Sequence, residues 1–223
     1  MKNQLLILAL CALFTPARAQ LGITAASTQS NSPDWQVVPE NFIVHRRADF
    51  LRYGTTAVLE YVFTLKNEAV RLRPALHFMH TSSVYYPYFF QAGIIGLQGN
   101  MEFALWPAVY KNGKETPFRP FVQLSPGVAL ASLRYDRPVS DQNGVFEMHK
   151  SQSIAPNIGT NLFLEFKLSE LLSVAPMAGV RFYPKLRWKD FTEIVSDGIL
   201  VGTYDRTNWR QYSFGIRVGL TFR

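Results

Sequence analysis

The last thirteen residues of the chain, 211–223, alternate without exception between apolar and polar or small side chains. The apolar positions are the even ones, Tyr212, Phe214, Ile216, Val218, Leu220 and Phe222. Alternation with a period of two places the two sets on opposite faces of one β-strand. Strands of soluble proteins average about 5–6 residues, whereas a tilted strand needs about 9–11 residues to cross a membrane. The segment is therefore predicted to be a membrane-crossing strand.

The same alternation, less regular toward the N-terminus, predicts six further strands. They cover residues 153–168, 172–188, 118–130, 95–105, 70–78 and 55–65. Single-chain bacterial barrels have an even number of strands, so an eighth strand is expected before residue 55. Residues 21–27 are the first choice, and 35–38 and 42–44 are the alternatives. The sequence thus predicts an all-β fold, an eight-stranded antiparallel, transmembrane, up-and-down β-barrel.

The lengths of the connections support this arrangement. Short connections are expected at 66–69, 109–116 and 169–170, and long ones at 28–53, 135–152 and 189–210. If the last strand ends on the periplasmic side, all the short connections fall on that side and the long ones fall outside, as in outer-membrane barrels.

The composition of the polar faces decides between a membrane barrel and a soluble one. Only 17% of the residues are charged, and the polar faces are rich in Gly, Ser, Asn and Thr, whereas a solvent-washed face would be dense in Lys and Glu. Aromatic residues gather at both predicted rims, as they do at membrane interfaces. The outer group is Tyr85, Tyr86, Tyr88, Phe89, Phe90, Phe182, Trp188, Tyr212 and Phe214, and the inner group is Trp106, Phe118 and Phe222. In this assignment Leu186 and Trp188 belong to the lipid face. The strand patterns are interrupted by four prolines, Pro74, Pro120, Pro126 and Pro176.

The first nineteen residues have the form of a signal peptide. Lys2 precedes an apolar stretch at 5–14, and Ala17-Arg18-Ala19 matches a small-x-small cleavage site. We expect cleavage after Ala19, which leaves residues 20–223 as one outer-membrane barrel domain. The single cysteine, Cys11, lies in the signal, so the mature chain is expected to use neither disulfides nor thiol chemistry.

The net charge of +7 falls to +5 when Lys2 and Arg18 are removed. The basic residues form no run or helical patch, so nucleic acid is not an expected partner. Anionic outer-membrane lipids, lipopolysaccharide among them, and other envelope proteins are the better candidates. Lys185, Arg187 and Lys189, near the predicted outer rim, are candidate lipopolysaccharide contacts.

Several charged residues fall on the predicted inner face of the barrel. Eight strands enclose a space that side chains can fill, so these charges are expected to form a structural network of salt bridges that closes the lumen. A narrow solute path is the alternative. The predicted network is made of Glu60, Glu102, Glu165, Arg119, Arg181 and Arg217, with Arg71 and Arg73 on the same face.

No catalytic, cofactor or metal site is predicted. His80-Thr81-Ser82 has the His-x-Ser spacing of outer-membrane lipid A deacylases, in which histidine activates serine, but Ser83 stands where that family has asparagine. His45, His77, His80 and His149 lack metal-ligand spacing. The carboxylates in the last long loop, Asp190, Glu193, Asp197 and Asp205, do not have EF-hand spacing.

Two blocks of sequence resemble small Bacteroidota outer-membrane β-barrel proteins. The first runs through 99–109, Lys111-Asn112-Gly113-Lys114 and 117–128, and the second runs through 157–161, 168–172 and 179–182. The resemblance covers about residues 72–223. PorT/PorG-like members of this group are accessory components of the type IX secretion apparatus, so the resemblance implies a non-enzymatic structural or accessory role. A lipid A-modifying hydrolase and a small channel are the alternatives.

Overall fold

The computed structural model describes most of the chain after residue 19. The described residues are 20–31, 36–39, 48–49, 53–64, 69–85, 88–106, 110–111, 114–115, 118–138, 146–188, 194–196, 199–201 and 206–222. The predicted signal peptide, residues 1–19, lies outside them. Within the described part of the chain, no helix has the length and apolar character needed to cross a membrane.

Eight long strands form one closed antiparallel barrel in which each strand pairs with its neighbours in sequence. Closure comes from the first and last strands, whose register runs from Gln20 opposite Thr221 to Asn31 opposite Arg210. The strands are β1 Gln20–Asn31, β2 Tyr53–Thr64, β3 Val70–Tyr85, β4 Tyr88–Ala104, β5 Phe118–Pro138, β6 Phe146–Lys167, β7 Leu172–Arg187 and β8 Arg206–Thr221. The predicted fold class is confirmed.

The two faces of the wall have the polarity of a membrane barrel. Ile154 and Leu97 are 74% and 68% exposed on the outside, whereas Arg73 and Glu102 are buried inside. A soluble barrel would have the opposite arrangement, because apolar side chains leave water wherever they can. Only a helix or a closed barrel satisfies every backbone group in lipid, so this outward apolar band belongs in a bilayer. The protein spans the outer membrane.

The first strand is the predicted 21–27 segment, extended to Gln20–Asn31. The alternative at 35–38 overlaps a short strand, Gln36–Pro39, which belongs to a separate four-stranded sheet. The other strands of that sheet are Ala48–Asp49, Ile194–Ser196 and Ile199–Val201. The alternative at 42–44 lies outside the described residues.

The prediction of a loop over 135–152 is wrong. Strand β5 continues to Pro138 and β6 begins at Phe146, and the two remain paired along this whole length. Apolar alternation ends where a strand leaves the lipid, because both faces then meet water. The backbone hydrogen bonds between the strands do not depend on this alternation and continue beyond it. The hairpin of β5 and β6 therefore rises above β7 and β8, level with the hairpin of β3 and β4, whose Phe89 lies opposite Asp136. The strands also continue through Pro74, Pro126 and Pro176.

The assignment of Leu186 and Trp188 to the lipid face is also wrong. The register of β7 against β8 shifts between Tyr183 and Leu186, and both Leu186 and Trp188 are buried, Trp188 to 3% exposure. An extra residue in one strand reverses the faces beyond it. The outer aromatic group thus loses Trp188, while Tyr212 and Phe214 remain exposed on the outside.

The two ends of the barrel differ. At one end, Ser169 Oγ accepts hydrogen bonds from the backbone N–H groups of Leu171 and Leu172, which closes the turn from β6 to β7. The same end has the start of β1, the end of β8 and the short hairpin of Tyr110–Lys111 with Lys114–Glu115. The connections 32–52, 139–145 and 188–205 leave the opposite end. Because outer-membrane barrels have short periplasmic turns and longer outer loops, the end with the Ser169 turn is periplasmic.

Candidate functional site: a closed lumen

Six charged side chains from five strands meet in the periplasmic half of the lumen. Each belongs to the inward-facing set of its strand, and all six are buried. They are Glu60 on β2, Arg71 and Arg73 on β3, Glu102 on β4, Glu165 on β6 and Arg217 on β8. We call them the ion-pair cluster. Three carboxylates balance three guanidinium groups, so the cluster as a whole is neutral.

Glu102 is the centre of the cluster and is completely buried. Its Oε2 atom accepts a hydrogen bond from Arg217 Nη1 at 2.6 Å and lies 2.9 Å from Arg73 Nε. Its Oε1 atom accepts from Arg71 Nη1 at 3.2 Å and from Arg73 Nη2 at 3.3 Å. One carboxylate thus joins all three arginines, which is possible because a carboxylate offers about four acceptor sites.

The outer members of the cluster are held by further charged and polar partners. Arg71 and Glu165 form a two-bonded fork, with distances of 2.8 and 3.0 Å. Glu60 pairs with Arg73 at 3.3 Å and accepts hydrogen bonds from Asn100 Nδ2 at 2.9 Å and Gln123 Nε2 at 3.0 Å. Charge-assisted, bidentate contacts of this kind are the strong class of hydrogen bond.

Two phenylalanine rings support the arginines. The guanidinium carbon of Arg217 lies 3.8 Å from the centroid of Phe163, and that of Arg71 lies 4.2 Å from the centroid of Phe121. The two rings pack with Ala175 in a small apolar core inside the barrel. A planar guanidinium stacks well on an aromatic face, so the rings and the ion pairs together fill this section of the lumen. The strand patterns put both rings on inward positions, but their pairing with specific arginines was not predicted.

The structure gives Arg181 and Arg119, the other two predicted network residues, different surroundings. Arg181 is buried nearer the outer end and donates to neutral acceptors, Asn157 Oδ1 at 2.7 Å and Gln98 Oε1 at 3.2 Å. Arg119 Nε donates to the carbonyl of Trp106 at 3.4 Å, and its guanidinium carbon is 5.2 Å from the centroid of Phe121. Both face the lumen, as expected. Arg119 lies opposite Glu165 in the register of β5 and β6, at the edge of the ion-pair cluster, whereas the hydrogen bonds of Arg181 go to groups outside it.

A cavity of about 30 Å³ lies beside the cluster on its outer side. Polar side chains line much of it, including Glu60, His77, Gln98, Asn100 and Arg181. This volume suits one or two water molecules, and unpaired polar atoms such as His77 Nδ1 and Asn100 Oδ1 are there to bind them.

His80 and Ser82 are the residues on which the catalytic alternative depends. Both are exposed on the outer wall of β3, and Thr81 between them points inward. The described partner of the His80 ring is the side-chain amide of Gln91, at 3.4 Å. An activated serine needs a histidine that a third group orients, and an amide nitrogen supplies no negative charge for that purpose.

The metal and lipid candidates fall partly outside the described residues. Among the residues that the structure describes, no three His, Cys, Asp or Glu side chains are grouped to hold a metal ion. The loop carboxylates Asp190, Glu193, Asp197 and Asp205, together with His45 and Lys189, lie outside those residues. Arg187 is exposed at the outer end of β7, and the side chain of Lys185 is not among those described.

No protein-family model matches the chain, and no curated protein matches its sequence. Solved structures match it in fold. Neisserial surface protein A is 12% identical with a TM-score of 0.52, and the match covers 92% of this chain and 97% of that chain. Ail of Yersinia pestis is 11% identical with a TM-score of 0.42, over 89% and 98% of the two chains. OprG of Pseudomonas aeruginosa is 11% identical with a TM-score of 0.42, over 92% and 96%. At these identities, the likeness to the neisserial protein concerns the fold.

Proposed function

We propose that this outer-membrane barrel is a non-enzymatic, non-conducting protein with a structural or accessory role in the cell envelope. The observation that carries the proposal is the ion-pair cluster, which fills the periplasmic half of the lumen from five of the eight strands. A protein in which charged groups that bind one another fill the periplasmic half of the lumen offers its outer surfaces and loops for function.

The non-conducting part of the proposal is tested in planar bilayers. The refolded protein is expected to give no discrete conductance steps, because eight strands leave little room beyond the side chains that fill them. A variant with alanine in place of Arg71, Arg217 and Glu102 lacks the centre of the cluster. Its conductance is compared with that of the unmodified protein. Regular steps from the unmodified protein, lost on heat denaturation, would overturn the proposal and favour the channel.

The accessory part rests on the tall hairpin and on the sequence resemblance. Strands β5 and β6 have 21 and 22 residues, about twice the 9–11 residues that cross a membrane, so the hairpin carries a paired ribbon beyond the lipid. The resemblance of residues 72–223 to PorT/PorG-like barrels suggests that the partners belong to a secretion apparatus of the type IX kind.

Affinity purification from the native outer membrane in mild detergent tests this role. We expect envelope proteins in stoichiometric amounts, and secretion components among them would identify the apparatus. A variant in which an Asn-Gly turn replaces residues 136–148 should fold and lose these partners, whereas replacement of residues 110–115, on the periplasmic side, by the same turn should keep them. A lone heat-modifiable band from the unmodified protein would contradict the accessory role.

The absence of catalysis is tested at the one motif that suggests it. Replacing Ser82 by alanine should leave the lipid A of the host membrane unaltered, as judged by mass spectrometry. A lipid A species that gains acyl chains in the Ser82→Ala strain would instead support the hydrolase.

A further inference from the structure

The buried charges of the barrel do not balance. Among the described residues, the buried carboxylate and guanidinium groups are those of three glutamates and five arginines, so positive charge is in excess. The ion-pair cluster is neutral, and the excess therefore belongs to Arg119 and Arg181. Arg119 lies at the edge of the cluster, opposite Glu165. A buried charge is costly unless an opposite charge compensates for it, so Arg181 is the place in the lumen where a further negative charge would be stabilised.

The side chain of Arg181 is held by neutral groups. Its Nη1 atom donates to Asn157 Oδ1 at 2.7 Å and to the carbonyl of Ser125 at 3.3 Å. Its Nη2 atom donates to Gln98 Oε1 at 3.2 Å. Gly159 leaves the space that the guanidinium occupies, because a Cβ atom there would lie 3.0 Å from Arg181 Cζ. The guanidinium is thus fixed in position, but none of these described contacts cancels its charge.

The cavity beside Arg181 is bordered by N–H groups without a hydrogen-bond partner. The amide oxygen of Gln98 faces the guanidinium, which leaves its Nε2 atom over, and this atom has no partner among the described residues. The same is true of the Nδ1 atom of His77, a ring position that can carry the proton of a neutral imidazole. Arg181, Gln98 and His77 all line the cavity. A cation and two further donors around one small space are the arrangement that binds an anion.

Glu60 is the one carboxylate among the described residues that line this cavity, and its charge is already compensated. Its Oε1 atom accepts hydrogen bonds from two side-chain amides, one of which is that of Asn100. Its Oε2 atom accepts from Arg73 Nη1 at 3.3 Å and lies 3.7 Å from Arg217 Nη1. The unpaired Oδ1 atom of Asn100 belongs to this side of the cavity and suits a water molecule. The anion-binding groups are therefore those on the side of Arg181.

We propose that the cavity beside Arg181 binds one small monovalent anion, which is chloride in the surroundings of an outer membrane. A chloride ion is little larger than a water molecule, so a volume of about 30 Å³ accommodates it, whereas phosphate and sulfate are too large. The ion would lie against the guanidinium of Arg181, with the N–H groups of Gln98 and His77 beside it, and would enter as the barrel closes during folding. This site depends on the interior of the barrel and not on the accessory role proposed above.

Urea unfolding in phospholipid vesicles tests the site, with sodium chloride as the probe. Sodium gluconate holds the total salt concentration constant, because gluconate is too large for the cavity. An anion that binds only the folded barrel stabilises it by mass action. We expect the unfolding equilibrium constant of the chain 20–223 to fall by up to about tenfold for each tenfold rise in chloride, the limit for a single site. An unfolding equilibrium of the unmodified protein that does not respond to chloride would overturn the proposal and assign the cavity to water.

Two variants should abolish the chloride dependence for different reasons. Arg181→Met removes the charge that attracts the anion. Gln98→Glu puts a carboxylate where Gln98 Oε1 now accepts from Arg181, so the chain itself supplies the negative charge and the variant should fold. Arg210→Gln, at an exposed position near the outer rim, is the matched control and should keep the full dependence. The same dependence in all four proteins would mean a general effect of salt and would overturn the site.

Bromide, which replaces chloride in anion sites, locates the ion directly. Crystals of the protein refolded in sodium bromide should give an anomalous diffraction peak inside the cavity, in contact with the guanidinium of Arg181. An anomalous map with peaks only on the protein surface would contradict the assignment, whatever the unfolding of the variants shows.

Discussion

The charged residues in the lumen depend on one another more than on the rest of the fold. A buried ion pair adds little net stability over an apolar pair of the same shape, but the loss of one partner leaves an uncompensated charge that costs about 3–5 kcal/mol. Glu102, which contacts all three arginines, is the position where this asymmetry should be greatest.

Replacing Glu102 by glutamine keeps the shape and removes the charge, so that two carboxylates face three guanidinium groups. We expect the free energy of unfolding to fall by about 3–5 kcal/mol, measured by urea titration in phospholipid vesicles. Arg210→Gln, at an exposed position, is the matched control and should change it by no more than about 0.5 kcal/mol. Equal urea midpoints for the two variants would show that the cluster does not hold the barrel together.

Among the elements, β7 shows how one irregular step redirects side chains. Up to Tyr183 its faces follow the sequence alternation, and after the register shift Leu186 and Trp188 turn into the barrel. Trp209 on β8 is also buried, and its ring lies 6.4 Å from that of Tyr183. The outer end of the lumen is therefore lined by Tyr183 and Trp209, on regular inward positions, and by Leu186 and Trp188, which a regular strand would have pointed at lipid.

This difference can be measured by fluorescence in bilayers that contain brominated phospholipids. A variant that keeps Trp106 as its single tryptophan, with the other three changed to phenylalanine, should be strongly quenched, because Trp106 is 45% exposed at the periplasmic rim. A variant that keeps only Trp188 should be quenched much less. Similar quenching of the two would mean that Trp188 faces the lipid after all.

For the whole molecule, closure of the barrel depends on β1. This strand pairs with β8 on one side and with β2 on the other, so its absence would leave two unpaired edges in the membrane. Unsatisfied backbone groups cost several kcal/mol each in lipid, and no side-chain change elsewhere can offset a whole ladder.

A chain that starts at residue 32 is therefore expected not to refold from urea into detergent micelles. The chain 20–223 serves as the control and should refold to a heat-modifiable band on gels. A heat-modifiable band from the shortened chain would show that another segment, such as 36–39, can close the barrel in place of β1.

The amino-acid sequence by itself determined the fold class, the number of strands and the membrane location. The fold class and the membrane location follow from the period-two alternation of residues such as those at 211–223 and from polar faces that carry few charges, and both are local properties that each strand records on its own. The alternation showed seven strands, and the even strand number of bacterial barrels supplied the eighth. The inward direction of Glu60, Glu102 and Arg217 came from the same alternation.

Only the tertiary structure decided which of these side chains meet. Alternation gives the face of a residue but not its height or its neighbour across the lumen. It therefore could not separate Arg71 and Arg73, which join Glu102, from Arg181, which donates to Asn157 and Gln98. The bulge in β7 and the paired ribbon above the membrane also escaped the pattern, because the backbone ladder continues where the alternation stops.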